Sequence, residues 1–435
     1  MMNWEKMYHS KLTTAEEAVQ AIKSGDRVFL TGNCSVPQKL LKALVNRARN
    51  DEIYNVEIVQ VLTIGDAEYV EPGMEEHIRV NTLFISDNVR EAVNEGRADF
   101  TPVFLSEVPR LTRDPNLLRP NVALIHVSPP DEHGFCSFGI EVGMTKPAAE
   151  AADIVIAEVN EQMPRTLGDS FIHVSKIDYI VEVNYKLPEI IMGKPGELQM
   201  KIASYIADMI PDGAVLQTGI GGIPDAVLHY LKDKKDLGIH TELFSDGVID
   251  LIESGVITGA RKTIHQGKVI AGFTLGSQRL YEFVDNNPMF EFHPQDYTND
   301  PFVIAQNDNM ISINSAIEVD LTGQVCSDSI GTYFYSGVGG QLDFVYGASR
   351  SKGGKPIIAL PATAKGGTIS RIVPMLKPGA GVVTTRNHVH YVVTEYGVAS
   401  LYGKSIRQRA KALINIAAPQ FRDELTKWAK EHHYI

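Results

Sequence analysis

The chain carries two versions of one short sequence pattern, far apart and in the same order. Residues 28–37 match residues 215–224, and the shared Thr-Gly and Pro positions are 187 residues apart. A second pair, residues 82–87 and 241–246, follows at a spacing of 159 residues. An ordered repeat of this kind indicates two copies of one folding unit. A chain of 435 residues is also long enough to form two hydrophobic cores.

Each copy alternates apolar runs with helical stripes. In the second copy, residues 215–218 read as a strand, a glycine turn follows, and a helix begins at Ile223-Pro224. Alternating strands and helices predict a mostly parallel sheet that is covered on both faces. We therefore predict two related open α/β domains, residues 1–187 and 188–435. The break falls in a stretch rich in proline and glycine, residues 186–196.

One position differs in chemistry between the two copies. The second match aligns Leu83 of the first copy with Glu242 of the second. Ligands of parallel sheets bind at the carboxyl ends of the strands, so Glu242 and the glycine turn after residue 218 are expected to reach one crevice. A carboxylate there could act as a general base or as a nucleophile toward an acyl carbon. The alternative is a surface or helix-capping glutamate, as most glutamates are.

The glycine turn that follows residue 218 has three interpretations. Its backbone N–H groups could bind a phosphate, a carboxylate or a developing oxyanion. It could equally be a tight connection between a strand and a helix. A dinucleotide fingerprint would use Glu242 as the ribose-binding acid, but Pro224 occupies the place of the third glycine of that pattern, which argues against it.

Composition excludes several classes of function. A net charge of −12 argues against general binding of nucleic acid or of a membrane surface. Three cysteines in so long a chain do not form a disulfide framework, and no cysteine or histidine cluster predicts a metal site. Residues 1–6 lack the apolar stretch of a signal peptide, and no apolar run predicts a transmembrane helix. We therefore expect a cytoplasmic protein.

Several motifs together resemble the acetyl-CoA hydrolase/transferase family, and the resemblance covers nearly the whole chain. The matching segments are residues 127–131, 157–160, 219–227, 237–247, 299–301, 327–332, 336–344 and 391–397. The resemblance implies a coenzyme A (CoA) transferase of the two-domain CoA-transferase type. It implies a short-chain acyl-CoA donor, of the 4-hydroxybutyryl, butyryl or acetyl type, and a carboxylic acid acceptor such as acetate.

The resemblance also implies a mechanism in which Glu242 becomes a glutamyl-CoA thioester in a ping-pong reaction. Glu242 would then stay ionised at the working pH, in a site that need not be strongly desolvated. An acyl-CoA hydrolase that uses the same glutamate is the alternative enzyme. The alternative that is not an enzyme is a sensor protein that binds CoA esters.

The resemblance implies roles for further residues as well. It assigns CoA binding to seven residues: Gly219, Ile220, Gly221, Gly222, Ile223, Gly340 and Lys365. It makes Gly337, Gly339 and Asn299 candidates for oxyanion or substrate contacts. The CoA thioester is then a substrate, and no tightly bound cofactor or metal is expected. The partners are acyl-CoA and short-chain acids, without nucleic acid or membrane, and the chain is expected to form a homo-oligomer of two or more copies.

Overall fold

The computed structural model describes residues 4–435, and these residues form two compact units. The first unit contains the chain up to Ile191 and also Ile270–Thr298; the second contains Met192–Val269 and Asn299–Ile435. The sequence placed residues 270–298 in the second domain, and the structure groups them with the first. Backbone hydrogen bonds explain the difference, because Gly143 donates to Gly272 and Phe292 donates to Leu167.

Residues 4–191 contain helices, the strands of a parallel sheet, and a separate antiparallel pair of strands, β6 and β8. The helices are α1 (Trp4–Ser10), α2 (Ala15–Ala18), α3 (Gln38–Arg49), α4 (Asp87–Asn94), α5 (Val108–Arg113) and α6 (Thr145–Ala151). The strands are β1 (Arg27–Leu30), β2 (Val56–Gln60), β3 (Ile78–Thr82), β4 (Asp99–Phe100), β5 (Val122–Val127), β6 (Phe135–Ser137), β7 (Ile154–Asn160), β8 (Phe171–His173) and β9 (Tyr179–Val183). Short 3-10 turns cover Val19–Ala21, Glu68–Val70, Leu105–Glu107 and Val174–Lys176.

The sheet of the first unit has seven strands in the order β4-β3-β2-β1-β5-β7-β9, and all its pairs are parallel. Strand β5, next to the central strand β1, reads Val-Ala-Leu-Ile-His-Val and is buried along its whole length. An almost continuous apolar run, interrupted here only by His126, is typical of a parallel strand covered on both faces. Helix α3 buries Leu40 and Leu44 in the same core as Val28 and Ile58 of the sheet.

The remaining elements follow in chain order. Residues 192–298 contain α7 (Glu197–Asp208), β10 (Val215–Gln217), α8 (Gly222–Tyr230), β11 (Gly238–His240), β12 (Leu243–Phe244), α9 (Gly247–Glu253), β13 (Val269–Ala271), β14 (Phe273–Thr274), α10 (Gln278–Val284), β15 (Phe290–Phe292) and α11 (Gln295–Thr298). Residues 299–435 contain α12 (Pro301–Ile304), β16 (Met310–Ser315), β17 (Glu318–Asp320), β18 (Val325–Cys326), β19 (Ser329–Ile330), β20 (Tyr333–Phe334), α13 (Gln341–Arg350), β21 (Lys355–Ala359), β22 (Thr363–Ala364), a 3-10 turn (Lys365–Gly367), β23 (Ile369–Ser370), β24 (Ile372–Val373), β25 (Tyr391–Thr394), β26 (Gly397–Ser400), α14 (Ile406–Ile416) and α15 (Pro419–Glu431).

Strands of the second unit pair in the order β11-β10-β16-β21-β25-β26. The pairs are parallel from β11 to β25, and only β26 pairs antiparallel with its neighbour. The carboxyl ends of β10, β11 and β16 therefore lie at one edge. The predicted α/β class with mostly parallel sheets is confirmed. Among residues 4–435, no helix is both long enough and apolar enough to cross a bilayer.

The pairing of the strands shows which residue of the first copy is structurally equivalent to Glu242. Val28 pairs with Ile58, and its repeat partner Val215 pairs with Gly238. Counting four residues onward from Ile58 and from Gly238 places Leu62 in the position of Glu242. Leu83 follows β3, which pairs with β2 rather than with β1. The sequence comparison therefore aligned Glu242 with the wrong residue of the first copy, Leu83. The residue at the equivalent position, Leu62, is also apolar.

Candidate active site

Thr241 fixes Glu242 beside the first glycine loop. Glu242 lies between strand β11, which ends at His240, and β12, which begins at Leu243. The hydroxyl group of Thr241 donates to the carbonyl oxygen of Thr218 at 2.9 Å and accepts the N–H of Thr218 at 3.2 Å. Thr218 is the residue directly before Gly219. The expectation that Glu242 and the loop share one edge of the sheet is met within the second unit.

Two N–H donors hold the Glu242 carboxylate. The side-chain nitrogen of Asn299 donates to Oε2 at 2.9 Å, and the backbone N–H of Gly340 donates as well. A Cβ atom on residue 340 would lie 2.0 Å from Glu242 Oε2 and 2.3 Å from Asn299 Nδ2. Since Gly340 has a φ of −96°, close approach and not a left-handed backbone requires glycine here.

The second glycine loop ends at the first turn of α13. Gly339 takes a φ of 60°, a conformation that favours glycine, and Gly337 lies two residues earlier. Gln341 anchors the helix start, because its Nε2 donates to the carbonyl oxygen of Ser315 at 2.7 Å. The loop therefore presents Gly340 at a fixed place. The contacts described for the Glu242 carboxylate involve Gly340 and not Gly337 or Gly339.

Burial raises the pKa of Glu242 to about 7, although its side chain as a whole keeps partial exposure. Loss of water around the carboxylate is the largest cause. The hydrogen bond from Asn299 lowers the pKa, the negative charge of Asp343 raises it, and the Gly340 N–H lowers it. The sequence-based expectation of a weakly desolvated carboxylate is therefore wrong. Glu242 changes its ionisation close to neutral pH.

The first glycine loop leads into α8. Gly221 is the N-cap residue, with a φ of 127° that an L side chain rarely adopts. No side chain caps this helix, so the N–H groups of its first turn are available to a ligand. Gly219, Ile220 and Gly222 are partly exposed, and Ile223 is buried. The helix begins one residue before the predicted start, and Pro224 lies in its first turn, as the sequence predicted.

Lys365 also lies in the second unit. It follows β22, which pairs antiparallel with β23, and its side chain is exposed. Neither hydrogen bond described above for the Glu242 carboxylate comes from Lys365. Contact between Lys365 and CoA stays a prediction.

Asp343 is the residue that the sequence interpretation missed. It lies in the third position of α13, is 4% exposed, and its Oδ2 is 3.5 Å from Asn299 Nδ2. The signal was present in the sequence, because the motif of residues 336–344 contains this aspartate three residues after Gly340. An aspartate in a first helical turn has an ordinary explanation in the helix dipole, so the pattern alone did not distinguish it.

Comparisons with known proteins match both halves of the chain. The model of the acetyl-CoA hydrolase/transferase N-terminal domain matches residues 1–191, and that of the C-terminal domain matches residues 276–429. The chain belongs to this family. The name of the family covers both hydrolases and transferases of acetyl-CoA. The relatives described next are named CoA-transferases, so the predicted enzyme class is confirmed.

Individual relatives are similar over their whole length. A 4-hydroxybutyrate coenzyme A transferase of Clostridium kluyveri is 55% identical over 98% of both chains. A butyryl-CoA:acetate CoA-transferase of Anaerostipes caccae is 41% identical over 99% of this chain and 98% of its own. The crystal structure of RipA from Yersinia pestis superposes with a TM-score of 0.95, at 39% identity, and covers 100% of both chains.

Proposed function

We propose that this protein transfers CoA from a short-chain acyl-CoA to a carboxylic acid through a glutamyl-CoA thioester on Glu242. One observation carries the proposal. The Glu242 carboxylate lies beside a glycine loop and is held by two N–H donors, Asn299 and Gly340. A carboxylate fixed in this way can attack an acyl carbon without the help of a histidine or a metal.

The proposed reaction begins when one Glu242 oxygen attacks the thioester carbon. The C–S bond breaks, CoA leaves as a thiolate, and a mixed anhydride joins Glu242 to the acyl group. The thiolate then attacks the glutamyl carbonyl carbon, which forms glutamyl-CoA and releases the first acid with one of the Glu242 oxygens. The acceptor carboxylate reverses these steps. Charge balances, because the negative charge of Glu242 leaves with the released acid.

The donors around Glu242 fit the charges that develop in these steps. The N–H groups of Asn299 and Gly340 bind the carboxylate in the free enzyme. The same groups can bind an oxyanion when the Glu242 carbonyl becomes tetrahedral. Donors that are fixed before the reaction stabilise such charge strongly, and removing one costs about 10²–10³ in rate in other enzymes.

CoA is a polyanion, and the chain has a net charge of −12. We therefore assign its binding to local groups. The uncapped start of α8, at Gly221, offers N–H groups to the phosphate or pantetheine part of CoA. Lys365 adds an exposed positive charge.

The acyl group is assigned from the relatives. The protein of Clostridium kluyveri carries the name of a 4-hydroxybutyrate enzyme, and the protein of Anaerostipes caccae carries that of a butyryl-CoA:acetate enzyme. We propose 4-hydroxybutyrate, butyrate and acetate as the acids of this protein. The ratio of kcat/KM for the three acids, measured with one common acyl-CoA donor, ranks them.

The decisive experiment detects the covalent intermediate. The protein is mixed with acyl-CoA without an acceptor acid, and the mass of the peptide that contains Glu242 is measured. The expected result is a CoA adduct on that peptide, lost after an acid is added. Glu242→Gln should give neither adduct nor transfer, whereas Glu424→Gln, on the exposed face of α15, should give both. Normal transfer by Glu242→Gln would refute the mechanism.

An acyl-CoA hydrolase on the same glutamate is the second candidate, since the family includes both activities by name. Hydrolysis releases free thiol continuously from acyl-CoA alone. Transfer releases the first acid but no free thiol, and it continues only when an acceptor acid is present. Thiol release that is independent of added acid would favour the hydrolase.

A further inference from the structure

The side-chain nitrogen of Asn299 lies between two carboxylates. It is 2.9 Å from Oε2 of Glu242 and 3.5 Å from Oδ2 of Asp343. Asn299 is fully buried, and Asp343 is 4% exposed. An ionised carboxylate only accepts hydrogen bonds, so both neighbours favour the orientation in which the NH2 group faces them. Asp343 therefore selects the Asn299 orientation that donates to Glu242.

The geometry also brings two negative charges close together. Because both oxygens contact the same nitrogen, they lie at most about 6.4 Å from each other, a distance at which like charges repel noticeably in a protein site with little water. The effect on Glu242 has the expected direction, because the charge of Asp343 raises its pKa in addition to the larger effect of burial. The hydrogen bonds from Asn299 and Gly340 act in the opposite direction.

The charge of Glu242 changes during the proposed reaction. Glu242 is an anion in the free enzyme and a neutral acyl group in glutamyl-CoA, and the negative charge leaves with the released acid. A fixed negative charge beside Glu242 destabilises the first state and not the second. Its presence therefore shifts the equilibrium toward the covalent intermediate.

We propose that Asp343 is a positioning residue of this site, which orients the Asn299 amide toward Glu242 and favours the glutamyl-CoA state by charge repulsion. The proposal rests on the proposed function. The carboxylate acts through Asn299 and through its charge, without contact to the substrate.

A purely structural role for Asp343 is the alternative. An acidic residue in the first turn of α13 stabilises the helix through its dipole. His240, two residues before Glu242, is a further titratable side chain in this segment, and its ring lies 6.3 Å from that of Phe344. Among the causes that act on the pKa of Glu242, Asp343 is the charged group, so Asp343 is the residue to change.

The first test measures the equilibrium between free and covalent enzyme. Wild type and Asp343→Asn are mixed with acyl-CoA and its acid at fixed ratios at pH 8, quenched, and analysed by intact mass. We expect the equilibrium constant for adduct formation to fall about tenfold in Asp343→Asn, the equivalent of one pKa unit. Asp423→Asn, an exposed aspartate on α15, is the matched control and should behave as the wild type.

The second test measures the pH profile of kcat/KM for acyl-CoA. Asp343→Asn should move the acidic midpoint downward by about one pH unit, and Asp343→Glu should restore it toward the wild-type value. Asp343→Ala is measured in parallel, because it removes the charge without adding a new amide. If Asp343→Asn does not fold, Asp343→Ala decides both tests.

A structural role predicts a different result. Asp343→Asn or Asp343→Ala would then lower the unfolding midpoint but leave the adduct equilibrium and the pH midpoint at wild-type values, and the proposal would be overturned. The wild type separates the two hypotheses. If it forms no adduct on the Glu242 peptide, the proposed function fails; if it does and the neutral variants match it, only the role of Asp343 fails.

Discussion

Gly340→Ala tests the close approach between the second glycine loop and Glu242, the proposed nucleophile. The new Cβ atom would lie 2.0 Å from Glu242 Oε2 and 2.3 Å from Asn299 Nδ2. The backbone of Gly340, with φ −96° and ψ 12°, is accessible to alanine. The clash is therefore with two side-chain ends and not with the main chain. They can move aside, and the protein should still fold.

The size of the movement gives the size of the effect. An ordinary contact to a Cβ atom begins near 3.4 Å, so the carboxylate must withdraw by about 1.4 Å. A misplacement of about 1 Å at a reacting group can cost about 10²-fold in rate. Loss of the charged hydrogen bond from Asn299 costs about 1.5–3 kcal/mol in addition. We expect kcat of Gly340→Ala to fall by about 10³–10⁴.

The assay is the initial rate of CoA transfer, with the adduct mass as a second readout. Gly193→Ala is the control, because a Cβ atom there meets no other heavy atom within 4 Å. Urea unfolding of both variants separates loss of activity from loss of fold. A Gly340→Ala protein with a rate within threefold of the wild type would show that the Glu242 carboxylate does not react from the observed position.

Four further predictions follow from the same contacts. Because burial raises the pKa of Glu242 to about 7, kcat/KM should rise about tenfold per pH unit below pH 7 and level off above it, in steady-state rates from pH 5 to 9. The folded state binds the Glu242 proton more tightly than the unfolded state, so this proton stabilises the fold below pH 4.5, and the stabilisation is lost as the pH rises to about 7. Urea unfolding of Glu242→Gln should lack this decline in stability with pH. An unchanged pH dependence in the variant would contradict the raised pKa. Asn299→Ala should lower kcat by about 10²–10³ and leave KM for acyl-CoA within a few-fold, since it removes a donor to the reacting group; an unchanged kcat would remove Asn299 from the site. Thr241→Val should raise KM for acyl-CoA about tenfold by releasing Thr218 and the loop after it, whereas Thr241→Ser should keep the wild-type KM.

The local patterns of the sequence were sufficient for much of the second unit. A strand before a glycine turn and a helix after it predicted β10, the loop and α8, and the rule for carboxyl ends of parallel strands placed Glu242 beside that loop. The register could not be predicted, because the local match of residues 82–87 with residues 241–246 ignores an additional strand. The first unit has β2 between β1 and β3, whereas β11 pairs directly with β10.

Contacts between distant residues were beyond the reach of sequence patterns. Asn299 donates to a residue 57 positions away, and Asp343 is 44 positions further along the chain. No periodicity connects these segments, since they meet only because β11, α12 and α13 pack in one unit. The discontinuous first unit has the same origin. Residues 270–298 join the first unit through backbone hydrogen bonds. Such bonds depend on geometry and cannot be recognised from amino-acid composition.

In the proposed mechanism Glu242 exists both as an anion and as a neutral thioester, and a pKa near 7 suits a residue with these two states. A fully hydrated carboxylate would be a stable anion, and its conversion to glutamyl-CoA would cost the whole of its hydration energy. A carboxylate in a fully apolar site would stay protonated and could not attack. The site avoids both extremes. Burial and Asp343 destabilise the negative charge of Glu242, whereas Asn299 and Gly340 stabilise it by hydrogen bonds. Removal of either influence should therefore affect opposite halves of the reaction: loss of a donor should slow attack by Glu242, and loss of the Asp343 charge should weaken accumulation of the adduct.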